Sequence, residues 1–206
     1  MVNAERKRVL KEELKQDPNN TKTLIEIGFL NILEDGDWEE SLKILNHVLK
    51  IDPENVEAMF WLAKSYVHCF FDEQKAKEIL GKALRIKPND AACNQLLADV
   101  LDSLGYKFEI SISHLKKAIK SEPTWITPRI RMGLYLMENH KFDEAEKEAK
   151  EALKVFKKLN FTTTNTRMEE YYEESVRGRI PRKKKYIEQM LQDIKKAKLQ
   201  SDKSKK

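Results

Sequence analysis

The sequence predicts an all-α protein, a right-handed α-solenoid of antiparallel helix pairs with about four repeats between terminal capping helices. Three observations carry that prediction. Pro18, Pro53, Pro88 and Pro123 stand 35 residues apart each time. Small residues keep the same step at Gly28, Ala63, Ala98 and Gly133, and two further ladders follow at Ser41, Ala76, Ser111, Ala145 and at Val48, Ala83, Ala118, Ala152. Between these markers the apolar residues have helical period: Leu96, Leu97, Val100, Leu101 and Leu104 in one half of a unit, Ile112, Leu115, Ala118 and Ile119 in the other. A period of this length belongs to chains in which each unit is one helical hairpin that buries its apolar face only by stacking on its neighbours.

Taken in order, residues 1–20 form an N-terminal half-repeat: Val9, Leu10 and Leu14 make one apolar stripe, and the helix stops before Pro18. Four repeats follow at 21–55, 56–90, 91–125 and 126–159. In each, a proline ends the second helix because it lacks an amide donor and disfavours helix in the residue before it. The Asn or Asp just after that proline caps the next helix. Residues 160–200 read as a capping helix pair. Thr166 and Glu169 have capping-box spacing, and Met168, Tyr171, Tyr172 and Val176 share a face. Gly178 stops that helix, Pro181 starts another, and Ile187, Met190, Leu191 and Ile194 form a stripe that covers the end of the stack. Residues 201–206 read as a disordered basic tail.

Glycine inside a helix costs about 1 kcal/mol relative to alanine, so Gly28 and Gly133 imply close approach of a partner helix. Filling such a gap with a larger residue costs about 1–3 kcal/mol.

These residues resemble the tetratricopeptide repeat over roughly 21–159. Arg131-Met132-Gly133, Lys141-Phe142-Asp143-Glu144-Ala145, Ala149 and Ala152 follow its pattern over a standard unit. Ile27-Gly28, Gly36-Asp37-Trp38, Ser41, Leu45, Val48 and Pro53 do so in the first unit, and Leu62-Ala63, Tyr66, Ala76, Leu80, Ala83 and Pro88 in the second. Leu97-Ala98, Leu101, Ser111, Leu115, Ala118 and Pro123 match in the third. Three departures stand out. The first three units carry one extra residue each, which lengthens a turn or bulges a helix. The second replaces the turn glycine with Cys69-Phe70-Phe71-Asp72, and the fourth has Lys157 where the proline falls.

Composition excludes several classes. The chain is 40% hydrophobic and 35% charged, and its longest apolar runs, such as Ala58–Ala63, are far short of a membrane span. The start, Met1-Val2-Asn3-Ala4-Glu5-Arg6-Lys7-Arg8, has no apolar core of a secretory signal. A cytoplasmic protein with Cys69 and Cys93 as reduced, packed thiols is expected. From Arg177 onward there are 12 Lys and Arg against 3 Asp and Glu, whereas the preceding 176 residues carry 27 against 31. The overall charge of +5 therefore describes a basic end on a mildly acidic body.

Catalytic constellations are not apparent. His47, His68, His114 and His140 are not paired at i, i+4, no glycine-rich phosphate loop occurs, and His68-Cys69 diverge by about 100° on a helix. The sequence is read as a non-enzyme without cofactor, metal or small-molecule substrate. The resemblance implies instead a concave surface lined by first helices, on which Phe29, Phe60, Lys64, Gln95, Asp99, Ile130, Arg131 and Leu134 are the candidate partner-binding residues. Phe29 and Phe60 would be anchors, with Lys64 orienting an acidic group. Some members of that family clamp a peptide's terminal carboxylates with Lys, Asn and Arg. The matching places here hold Ile25, Phe29, Trp61, Ala92 and Leu96, and in the next register only Arg131 fits. The expected ligand is thus an amphipathic helix or an extended apolar peptide of a protein partner. The alternative is an RNA-binding helical-repeat protein, since the 35-residue period is shared with pentatricopeptide repeats. Arg177, Arg179, Arg182, Lys183, Lys184 and Lys185 form a basic cluster able to meet phosphates or to act as a nuclear import signal.

Overall fold

The computed structural model describes residues 2–32, 37–158 and 173–204, with side chains over 5–32, 37–158 and 184–201. Ten α-helices and no strand occur among these residues. The chain divides into two compact units, Met1–Tyr106 and Lys107–Lys206, and the division falls in the turn of the third repeat.

The first unit comprises α1 (Val2–Gln16), α2 (Thr21–Leu30), α3 (Trp38–Ile51), α4 (Val56–Ser65), α5 (Glu73–Ile86) and α6 (Ala91–Ser103). Consecutive helices of the unit pack on one another, and α4 also touches α2 and α6. The caps recur with the prolines. Side-chain oxygens of Asn20, Asn55 and Asp90 accept from the backbone N–H groups of Thr23, Ala58 and Cys93 at 3.1, 2.9 and 3.0 Å. Asp37 and Asp72 do the same for the second helices, accepting from Glu40 and Lys75 at 3.0 and 2.8 Å.

The ladders seen in the sequence are the buried seams. Ser41, Ala76, Val48 and Ala83 have no exposed surface, and neither do Ala63 and Ala98. The Ser41 hydroxyl makes no hydrogen bond, so that position uses serine for its size, as it uses alanine at 76. Leu45 and Leu80 lie 35 residues apart at zero exposure, and Leu10 falls on the same step at 1%. In that register Leu10 of α1 matches Leu45 of α3 and Leu80 of α5. Gly28 differs from expectation in one respect. A Cβ there would meet Leu45 and Ser41 at 3.5–3.6 Å, an ordinary contact, so the seam has room for alanine and not for more.

The extra residue of the first two repeats widens the end of the first helix. The N–H of Asp37 donates to Asn31 O at 3.2 Å and that of Asp72 to Tyr66 O at 3.1 Å, spans wider than an α-turn. Tyr66–Phe70 is a π-helical segment, and it ends on Phe71 with φ 51° and ψ 36°. The left-handed region costs a side-chain-bearing residue about 1–2 kcal/mol. In the next turn the same conformation is taken by Gly105 at φ 73°. Phe71 is 77% exposed, so its ring returns little packing. Phe71→Gly should therefore stabilise the protein even after glycine's extra unfolded-state freedom, about 0.4–1 kcal/mol, is subtracted. A rise in melting temperature of about 1–4 °C is the expected result in calorimetry; a fall would show that the ring holds the turn.

The second unit comprises α7 (Phe108–Ser121), α8 (Thr127–Glu138), α9 (Phe142–Lys158) and α10 (Glu173–Ser204). Ser111, Leu115, Ala118, Ala145, Ala149 and Ala152 continue the seams at zero exposure. Pro128 sits in the first turn of α8, where a missing amide costs nothing. The predicted C-terminal stripe is buried: Ile187 and Ile194 have no exposed surface and Met190 has 4%. Ile187 joins Ile126, Ile130, Ala152 and Phe156 in one cluster, with Leu191 packed against it. A Cβ on Gly133 would stand 3.2 Å from the Met190 methyl, so this glycine makes the seat for α10. Lys198 ties the far end of α10 to α9 through Asp143 at 2.6 Å and through Glu146. Bonds from Lys150 and Lys198 hold the Glu146 carboxyl down at about 2.

Two expectations about this end are corrected. α10 runs unbroken through Gly178 and Pro181, where a stop and a new start were expected. Both residues weaken a helix without forbidding its dihedral angles, and proline's fixed φ is itself helical. The helix also continues to Ser204, past the expected onset of a disordered tail at 201. The expected capping box at Thr166 and Glu169, and the face of Met168, Tyr171, Tyr172 and the Val176 side chain, lie outside the described residues.

Candidate functional site

In the first unit the first-helix residues Phe29, Phe60 and Lys64 come together around Trp61, which was not among the expected partner-binding residues. The Phe29 and Trp61 ring centroids are 4.5 Å apart, and Phe60 meets Trp61 edge-on at 5.2 Å. All three are buried, at 2% for Phe29, 6% for Phe60 and 4% for Trp61. The aromatic pair expected to anchor a ligand thus lies inside the unit. Trp61 could have been found from its place in the apolar run Ala58–Ala63, next to Phe60.

Lys64 lies one turn beyond, half-buried, with its ammonium 4.9 Å from the Trp61 ring and 5.8 Å from that of Phe60. Among the described residues it has no carboxylate partner. Burial holds its pKa below the ordinary lysine value, because a desolvated ammonium is disfavoured and only ring faces compensate. On α6 the two other candidates satisfy each other: Gln95 Nε2 donates to Asp99 Oδ2 at 2.5 Å. Both are half-buried.

The remaining candidates belong to the second unit. Ile130 is 9% exposed and sits in the cluster with Ile187, while Leu134 packs against that cluster. The C-terminal helix occupies these two positions. Arg131 is half-buried. The basic cluster lies on α10, where Lys184 and Lys185 are exposed and Lys184 reaches Glu188 at 3.7 Å. The side chains of Arg177, Arg179, Arg182 and Lys183 lie outside the described residues.

Burial pushes the Cys69 thiol up to about 11, the opposite of what activates a nucleophile beside His68. Cys93 is buried and raised as well. Among the described residues no three His, Cys, Asp or Glu side chains gather as metal ligands, and no helix is long and apolar enough to cross a membrane.

Sequential antiparallel helix pairs joined through small-residue seams define a helical-hairpin repeat protein. No protein-family model matches the chain, and no curated protein does. Solved structures do match. The chain is 28% identical to MamA, covering 74% of this chain and 87% of that one with a TM-score of 0.60. It is 20% identical to TTC0263, a thermophilic TPR protein in Thermus thermophilus, over 74% of this chain and 82% of that one, with a TM-score of 0.65. PilW, a widely conserved type IV pilus biogenesis factor, matches at 14% identity and a TM-score of 0.66, over 77% of this chain and 72% of that one. The chain has the tetratricopeptide-repeat fold.

Proposed function

We propose that this chain is a cytoplasmic, non-catalytic protein-interaction scaffold, and that the first-helix side of its first unit takes a peptide or helix of a protein partner. The observation that carries this reading is Lys64: a half-buried ammonium on α4 with ring faces and no carboxylate beside it. An acidic group of a ligand would supply the missing counter-charge where solvent screening is weak. The fold supports the reading, since helical repeats present extended surfaces to partners. Phe60 and Trp61 then act from below, by holding the Lys64 stem. Gln95 and Asp99 would offer a polar edge.

Lys64→Met keeps the aliphatic stem and removes an unpaired buried charge. It should leave the melting temperature unchanged or raised, while capture of protein from native lysate falls about tenfold or more. Lys64→Glu should abolish capture. If the captured material instead disappears on ribonuclease treatment and depends on Lys184 and Lys185, the RNA-binding reading is correct.

A further inference from the structure

A second surface, in the other unit, carries a charge imbalance of its own. Along α7, Phe108, Ile112, Lys116 and Lys120 follow one another at steps of four, with Lys117 alongside, so they share one face. That face walls a cleft of about 470 Å³, with Leu136 of α8 beneath and Lys141, the residue before α9, opposite. Ile112 is 8% and Leu136 3% exposed, so they form an apolar floor, whereas Lys116, Lys117 and Lys120 stand exposed at its rim. Lys141 leans over the Phe108 ring at 4.9 Å.

Elsewhere in this unit, Lys150 meets Glu146 at 2.5 Å and Lys154 meets Glu151 at 3.3 Å. Lys116, Lys117 and Lys120 have no such partner among the described residues. Like charges this close on one helix repel. Three cations left uncompensated around an apolar floor form a surface short of one thing: an apolar ligand with carboxylates along its edge.

We propose that this cleft docks an acidic amphipathic helix of a partner protein. Its apolar residues lie on Phe108, Ile112 and Leu136, and its carboxylates meet Lys116, Lys117 and Lys120. Glu109 and Glu144, at the Phe108 end, repel acidic groups there and so fix the direction in which the helix lies. The apolar floor decides against a nucleic-acid strand, whose phosphates would use the lysines and leave Ile112 and Leu136 unmatched. The site shares no residue with the one proposed around Lys64.

The test uses the full chain and a fluorescein-labelled helical peptide with leucines at i, i+3 and i+7 and glutamates between them. Saturable binding by anisotropy is expected, with amide shifts in NMR confined to α7 and the start of α9. Lys116→Glu combined with Lys117→Glu should weaken it about tenfold or more. Both lysines are exposed, so circular dichroism should match wild type. The proposal is overturned if the peptide fails to bind. It is also overturned if the double variant binds within about twofold of wild type, or if a peptide with lysines in place of the glutamates binds equally. Tighter binding of a single-stranded RNA oligonucleotide that the double variant loses would assign the cleft to phosphates and overturn it as well.

Discussion

Ile187→Asp should unfold the second unit. The side chain has no exposed surface and lies among Ile126, Ile130, Ala152 and Phe156. A carboxylate there must either lose its hydration or carry a proton, and the cluster loses its central contact. Truncating a buried isoleucine alone costs about 2–5 kcal/mol. With a charge added, the loss approaches the whole stability of a typical domain, about 5–15 kcal/mol. A guanidinium titration should show the transition of residues 107–206 moved to much lower denaturant, with α10 the first segment cut by protease. An unchanged titration would mean that α10 is not part of the folded unit.

The second large effect is expected in the first unit. Trp61→Ala removes the ring that both Phe29 and Phe60 touch, at a cost of about 3–5 kcal/mol, and Phe60→Ala should cost a similar amount. The melting transition should fall by about 6–20 °C, at roughly 2–4 °C per kcal/mol for a chain of this length. Set beside Lys64→Met, which should melt like wild type, this separates the structural layer from the charge resting on it. If Phe60→Ala melts normally and loses partner capture, the ring is a ligand anchor after all.

The comparison of Phe60 with Lys64 shows what a single sequence reveals and what it hides. The proline step, the caps at Asn20, Asn55 and Asp90 and the small-residue ladders are local signals whose cause and effect lie within a few residues. All three were legible. The depth of a first-helix residue depends instead on which neighbour lies over it. Phe29 and Phe60 have the spacing of surface anchors, yet Trp61 and the adjoining helices enclose them. Ile130 and Leu134 were read as partner-facing, but a helix more than forty residues further along the chain packs there. Gly178 and Pro181 misled for a different reason. Propensity ranks residues by cost, and a long helix can carry two costly residues. The lysine-rimmed cleft had no sequence signal, because runs such as Lys116-Lys117 are common on solvated helices. Only the floor of Ile112 and Leu136 distinguishes it.

The caps have a kinetic consequence. Each of Asn20, Asp37, Asn55, Asp72 and Asp90 ties its helix start to a backbone amide three residues away, within the first unit. Such contacts form without closing a long loop, so they add almost nothing to the entropic barrier of folding. Where native contacts are mostly local, folding is fast and nucleation is not confined to one place. Any hairpin of this unit can serve as the nucleus, and loss of one cap shifts the starting point to another hairpin instead of closing the route.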